Sequence, residues 1–302
     1  MYSPPLRGRG AGATAVLLLL IPCCLLSPAQ AAEGPFILRL APEQVRQGGV
    51  AILRIEAAEP LQVVRAWAGP REIPAPAPAG QRRLAVLVGI DLEGSPGDLP
   101  IRVEASDALG RSLRQVVALQ IVDAQFPVQR LTLPRSFVEL DAATRARVQQ
   151  EQATLSRLWD TVTPDRPWRG AFRMPLEAAP PANGFGVRRI INGEPRAPHT
   201  GVDFAVAAGT PVLAPHGGSV ALVAEHFFAG RAVILDHGVG LYTMYFHLQQ
   251  TLAREGQRVA QGETIGRVGS TGRATGPHLH WGARLHGARI DPQALVGLAF
   301  PD

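Results

Sequence analysis

From Phe36 to Val122 apolar and polar positions alternate in short runs. In LPIRVEAS, Ile101, Val103 and Ala105 fall on one side while Arg102 and Glu104 fall on the other, the period-two signature of a half-buried strand. The same reading predicts strands in FILRL, VAILRIEA, LQVVRAWA, RLAVLVGI and SLRQVVALQIV, with Asp107-Ala108-Leu109-Gly110 as a hairpin turn. Pro74, Pro76 and Pro78 belong in a loop, because proline cannot donate to a central ladder. Six or seven short strands over some ninety residues predict an immunoglobulin-like β-sandwich across residues 32–125.

The period then changes. Over residues 141–160, Val148, Leu155, Leu158 and Trp159 share one helical face and arginine, glutamine and glutamate occupy the rest. Asp141 stands where an N-cap is needed. This helix is expected inside a linker, residues 126–170, packed between two domains. Pro164, Pro167 and Pro175 punctuate the chain beyond it. From residue 171 to 302 the pattern becomes short apolar runs separated by glycines: GTPVLAPHGGSVALV, RAVILDHG, LYTMYFHL and GETIGRVG. Eight or more short strands predict a compact antiparallel β-domain, so the whole chain is expected to be mainly β.

Composition sharpens this in three places. Hydrophobic residues make up 46% and charged residues 18%, so packed cores are easily built. Arg7 and Arg9, the apolar run Ala13–Leu26 and the small-x-small Ala29-Gln30-Ala31 read as a secretory signal over residues 1–31, to be cleaved rather than kept as a span. Cys23 and Cys24, the only cysteines, lie inside it. The mature chain is therefore expected to have no disulfide and no thiolate nucleophile, and a metal site would need His, Asp or Glu. Losing Arg7 and Arg9 lowers the formal charge from +5 to +3. That mild balance fits an anionic cell-wall partner only weakly, and no nucleic-acid partner is expected. All thirty basic residues are arginine.

The eight histidines all lie in the second half. His216, His226, His237 and His286 are expected to be structural. The others sit in PHTGVDF, YFHL and PHLH. His199 and Asp203 are four apart where a loop runs into a strand, and His278 and His280 are two apart on a strand face, so each pair can present both side chains on one side. His199, Asp203 and one of the HLH histidines supply the three ligands that a catalytic zinc needs beside an open position. No H-E-x-x-H glutamate accompanies them. The base must come from elsewhere, and the remaining HLH histidine and His247 are candidates because imidazole titrates near neutrality. VGSTGRATG lacks the lysine of a phosphate-binding loop and reads as a hairpin loop. Asn192 and Trp281 could line a groove or serve as turn and core residues.

These motifs, in order with FGVRR and GTPVLAP, make residues 170–295 resemble the lysostaphin-like, LytM-type zinc endopeptidases. The resemblance implies that His199, Asp203 and His280 bind Zn²⁺, that His247 and His278 assist catalysis, and that the substrate is a peptide cross-link of bacterial peptidoglycan. The resemblance also implies a group that steadies the oxyanion, which in some members of that family is a tyrosine shortly before the first ligand. Here the stretch is NGEPRAP, which leaves Tyr242, Tyr245 or Arg189 as substitutes.

Two other functions compete with this one. A catalytically silent relative that activates another wall hydrolase should lack a ligand or a catalytic histidine, and this chain has all five. GTPVLAPHGGSV and EGQRVAQGETIG look like the halves of a swinging-arm carrier domain, but that function needs a lysine and there is none. The expectation is a secreted, periplasmic enzyme acting on stem or cross-bridge peptides, with an N-terminal sandwich that contributes nothing to the bond-breaking step.

Overall fold

The computed structural model describes residues 36–75, 80–134, 138–298 and 300. The signal-sequence reading of residues 1–31, and Pro76 and Pro78, lie outside the described residues. All six strands expected in the first third are present: β1 (Phe36–Ala41), β3 (Val50–Leu61), β4 (Val63–Ala68), β6 (Gln81–Gly89), β7 (Gly97–Ser106) and β8 (Ser112–Val122). Two more, β2 (Gln44–Arg46) and β5 (Arg71–Ile73), are three residues long, too short to show an alternation. They assemble as a sheet β1-β3-β6 and a second sheet β2-β8-β7-β4-β5. Leu53, Ile55 and Val88 of the first meet Ala66, Ile101, Val103 and Leu119 of the second in one buried cluster, which makes the pair a β-sandwich.

The rest of the chain holds β9 (Val128–Leu131), α1 (Ala142–Trp159), β10 (Arg188–Ile191), β11 (Glu194–Arg196), β12 (Gly201–Phe204), β13 (Pro211–Leu213), β14 (Gly218–His226), β15 (Gly230–Asp236), β16 (Leu241–Thr251), β17 (Arg258–Val259), β18 (Thr264–Val268), β19 (Leu279–Leu285) and β20 (Ala288–Ile290). Its main sheet runs β12-β19-β16-β15-β14-β17, with β18 on β16 and β13, and β20 on β19. The apolar run in β15 is explained by burial on both faces. Val233 and Leu235 enter one cluster with Phe204, Tyr245, Leu279 and Trp281, while Ile234 joins Tyr242 and Met244 on the other side.

The helix begins as expected, with Asp141 accepting from the Thr144 amide at 2.8 Å. Its predicted position between domains is corrected. Leu155, Leu158 and Trp159 pack on Ile234, Tyr242 and Met244 of the main sheet. Arg147 donates to the Glu225 carbonyl at 2.9 Å and Glu151 accepts from the Phe227 amide at 3.0 Å, fixing α1 to the end of β14. The reason is the breadth of the apolar strip on β15 and β16, which needs a cover. Ahead of the helix, β9 pairs in parallel with β10. VGSTGRATG is also corrected: β18 and β19 are not ladder partners, so it is a connection closed by one isolated bridge between Gly269 and His278 rather than a hairpin loop.

The sandwich and the main sheet share a third buried cluster. Val50, Ile52 and Leu87 pack with Trp168, Phe172, Leu241, Ala283, Leu285 and Ile290. At its edge the Arg289 guanidinium reaches Asp91 and Glu93, each at 2.6 Å, and the Leu92 amide donates to the Arg289 carbonyl at 3.1 Å. The described residues form one compact unit.

Candidate metal and catalytic site

Three chain segments deliver the five side chains singled out from the sequence. His199 lies in the loop before β12 and Asp203 within that strand. Antiparallel pairing of β12 with β19 sets Asp203 directly opposite His280, and pairing of β19 with β16 sets His280 opposite Phe246. Neighbouring strands lie about 4.8 Å apart, so this register alone brings the side chains together.

His247 needs a separate explanation, because it follows Phe246 and successive strand residues point to opposite faces. The ladder between β15 and β16 shifts register between Arg231 and Val233, and His247 itself has φ 62°. This left-handed backbone at a bulge breaks the alternation. As a result the Phe246 ring stacks on His280, 5.2 Å between centroids and 4° from parallel, while the His247 ring lies 4.6 Å from that of His278. A non-glycine residue at positive φ is uncommon and costs on the order of 1–3 kcal/mol, a cost tolerated where function requires the geometry.

The ligand atoms converge. One donor atom each from His199, Asp203 and His280 lies within 4.8 Å of the others. Asp203 Oδ1 is 2.9 Å from His280 Nδ1 and 3.3 Å from His199 Nε2, and the two imidazole nitrogens are 3.0 Å apart. Burial opposes ionisation of Asp203, but the hydrogen bonds from His199 and His280 outweigh it and hold its carboxyl well below the usual carboxylate range. Burial pushes the His280 imidazole down. Protons alone satisfy this cluster badly. Only one histidine can donate across the 3.0 Å contact, and if both donate to Asp203 two N–H groups face each other. A cation accepting three lone pairs removes the conflict, so the residues present fit a metal ion.

Beside this triad, His247 Nδ1 donates to the Thr271 carbonyl at 2.9 Å and His278 Nδ1 to the Gly276 carbonyl at 2.9 Å. In each neutral ring the lone pair then resides on Nε2. His278 Nε2 is 4.0 Å from Asp203 Oδ1. Burial pushes His247 down to about 4, which keeps the ring neutral at physiological pH with its lone pair unprotonated.

The other assignments divide cleanly. Tyr242 and Tyr245 are corrected as oxyanion candidates. Their hydroxyls are turned to the Thr161 carbonyl and to Thr243 Oγ1, and both rings are buried. Trp281 is fully buried in the core, and Asn192 is a turn residue at φ 55° bonded to the backbone of Leu133. His216, His237 and His286 are held by backbone or hydroxyl groups away from the triad. Sequence reasoning missed Phe246, Thr271 and Gly201. The glycine had a legible place inside HTGVDF: a Cβ there would lie 2.5 Å from the Trp281 carbonyl oxygen and 2.6 Å from His280 Nε2.

Comparison with known proteins agrees with this geometry. Residues 197–292 match the model of peptidase family M23. A solved structure from Pseudomonas aeruginosa assigned to peptidase M23 superposes over 84% of this chain and 95% of its own, with 32% identity and a TM-score of 0.61. Peptidoglycan DD-endopeptidase ShyA from Vibrio cholerae is 43% identical over 111 residues, 36% of this chain and 26% of its own length. DD-carboxypeptidase/endopeptidase Mpg from Neisseria meningitidis is 45% identical over 103 residues, 34% of this chain and 23% of its own. The match thus spans about a quarter of these two curated relatives. The chain belongs to peptidase family M23.

Proposed function

We propose that this chain is a zinc-dependent endopeptidase that hydrolyses peptide cross-links of bacterial peptidoglycan, exported to the periplasm. The observation that carries this reading is the convergence of His199, Asp203 and His280 beside the paired rings of His247 and His278. The names of ShyA and Mpg support the substrate class. Two imidazoles and one carboxylate are a zinc donor set, and a bound zinc would polarise a carbonyl and acidify a water.

The chain's own residues supply the rest. His199, Asp203 and His280 would hold the ion. His247 and His278, each with Nδ1 tied to a carbonyl, present Nε2 as the available base. One Nε2 accepts the proton of the attacking water. As an imidazolium the ring then donates to the oxygen that gains charge and to the departing amine. With Tyr242 and Tyr245 turned away, these donations rest on the two histidines.

Incubating the zinc-loaded protein with purified sacculi and identifying released muropeptides by mass spectrometry tests the reading. New amino and carboxyl ends at cross-links are expected, and their loss in His278→Ala. A zinc-loaded protein that releases nothing, yet stimulates a second hydrolase, would favour the silent-relative reading.

A further inference from the structure

Several arginines here have an acidic partner. Arg65 meets Glu72, Arg147 meets Glu151, and Arg289 meets Asp91 and Glu93. Three arginines on the segments that also carry or hold His199 and His247 have none among the described residues. Arg189 and Arg196 are directly opposed in the β10–β11 ladder, where like charges are destabilising. That hairpin also carries His199: the His199 amide donates to the Val187 carbonyl at 3.0 Å, and the Gly186 amide to the His199 carbonyl at 2.8 Å.

Arg273 comes from the opposite side. It lies two residues after Thr271, whose carbonyl holds His247. Its amide donates to the Phe228 carbonyl at 3.0 Å, and its guanidinium sits over the Phe228 ring at 4.8 Å. Burial, then the charges of Arg189 and Arg196, push the Arg273 guanidinium down, so the three lie within electrostatic reach of one another. Among the described residues no carboxylate forms an ion pair with any of them. Like charges gathered from the hairpin that holds His199 and from the segment that holds His247 attract an anion. Guanidinium groups bind carboxylates through paired, charge-assisted hydrogen bonds.

We propose that Arg189, Arg196 and Arg273 form a carboxylate-binding subsite beside the catalytic histidines, which selects peptide substrates carrying free carboxylates next to the bond to be cut. This deepens the peptidase reading, on which it rests for the substrate class. It predicts that a peptide with its carboxylates amidated binds less well, and that the difference shrinks as salt screens the charges over about 8 Å at physiological ionic strength.

The test is fluorescence anisotropy of the full-length protein with two labelled cross-linked muropeptides, identical except that one has its side-chain and terminal carboxylates amidated. Binding of the free-acid peptide about tenfold tighter is expected, equivalent to about 1.4 kcal/mol. Arg189→Gln, Arg196→Gln and Arg273→Gln should each lower that ratio, and the triple variant should bring it close to one. Arg39→Gln, the same charge change on exposed β1, should leave the ratio intact. Thermal melts confirm that each variant is folded. Equal binding of both peptides by the parent protein, binding of neither, or full discrimination in the triple variant overturns the proposal. Because binding is read apart from cleavage, the two readings fail separately. Discrimination without hydrolysis sinks the peptidase reading alone, and hydrolysis without discrimination sinks this one alone.

Discussion

Alanine at His199, Asp203 or His280 is expected to empty the metal site, whereas His247→Ala and His278→Ala should retain the metal and lose about 10²- to 10⁴-fold in kcat. Metal analysis and turnover on the same preparations check this, and metal loss from His278→Ala with retention in His280→Ala would reverse the roles. The two HLH histidines are separable only in three dimensions. Their spacing placed both on one side, but it is the register of β12 on β19 that sets His280 against Asp203 and leaves His278 beside His247. A second residue-scale outcome concerns pH. Burial pushes His237 down to about 4 and His286 to about 3. The unfolded chain binds these protons from about pH 6.5 downward, whereas the folded chain resists them. Stability from both groups is therefore complete above that pH and lost as pH falls toward 4 and then 3. Calorimetric melts of chelated protein should show Tm falling across this window, with a shallower slope in His286→Gln. An unchanged slope would remove His286 from the account.

Among the elements, Gly201→Ala tests the strand contact that builds the site. The new methyl would meet the Trp281 carbonyl oxygen at 2.5 Å and the His280 ring at 2.6 Å, forcing β12 from β19 at a cost of about 1–3 kcal/mol. Metal affinity and Tm should fall together; a variant with unchanged metal affinity would contradict the close approach. Much at this scale was legible in the sequence. Strands in FILRL, LPIRVEAS and RAVILD, and the Asp141 cap, follow from local pattern and local hydrogen bonding. What was not legible depends on distant partners. Nothing in YFHL announces that His247 leaves the strand alternation, because the bulge is imposed by pairing with β15. Nothing in residues 142–159 says which apolar surface they will cover, because the strip that receives Trp159 is assembled from β15 and β16.

For the whole molecule, the cluster shared by Val50, Ile52 and Leu87 with Leu241, Ala283 and Leu285 bears on how separable the two halves are. A fragment beginning at Pro164 would keep all five site residues but lose α1 from β15 and β16, the apolar cover of β19 and the Asp91–Arg289 pairing. Burying an aliphatic side chain contributes about 1.5–3 kcal/mol, so a Tm well below that of the longer chain is expected, with metal binding retained where the fragment folds. Equal melting temperatures would mean that neither the shared cluster nor α1 adds anything. The sequence marked two β regions correctly but held no sign of this seam. The residues forming it, such as Val50 and Leu285, look like ordinary strand interior in both halves.

One strand connects the seam to the chemistry. His280 stands near one end of β19 and Leu285 at the other, a span of about 17 Å at the usual rise per residue. Flanked by β12 and β16 on either side, β19 works as a tie-rod: a load applied at the sandwich would arrive at His280 as tension along hydrogen-bonded backbone. The sandwich therefore cannot swivel like a tethered float while the groove stays still. A partner held by the N-terminal half would turn the candidate site with it.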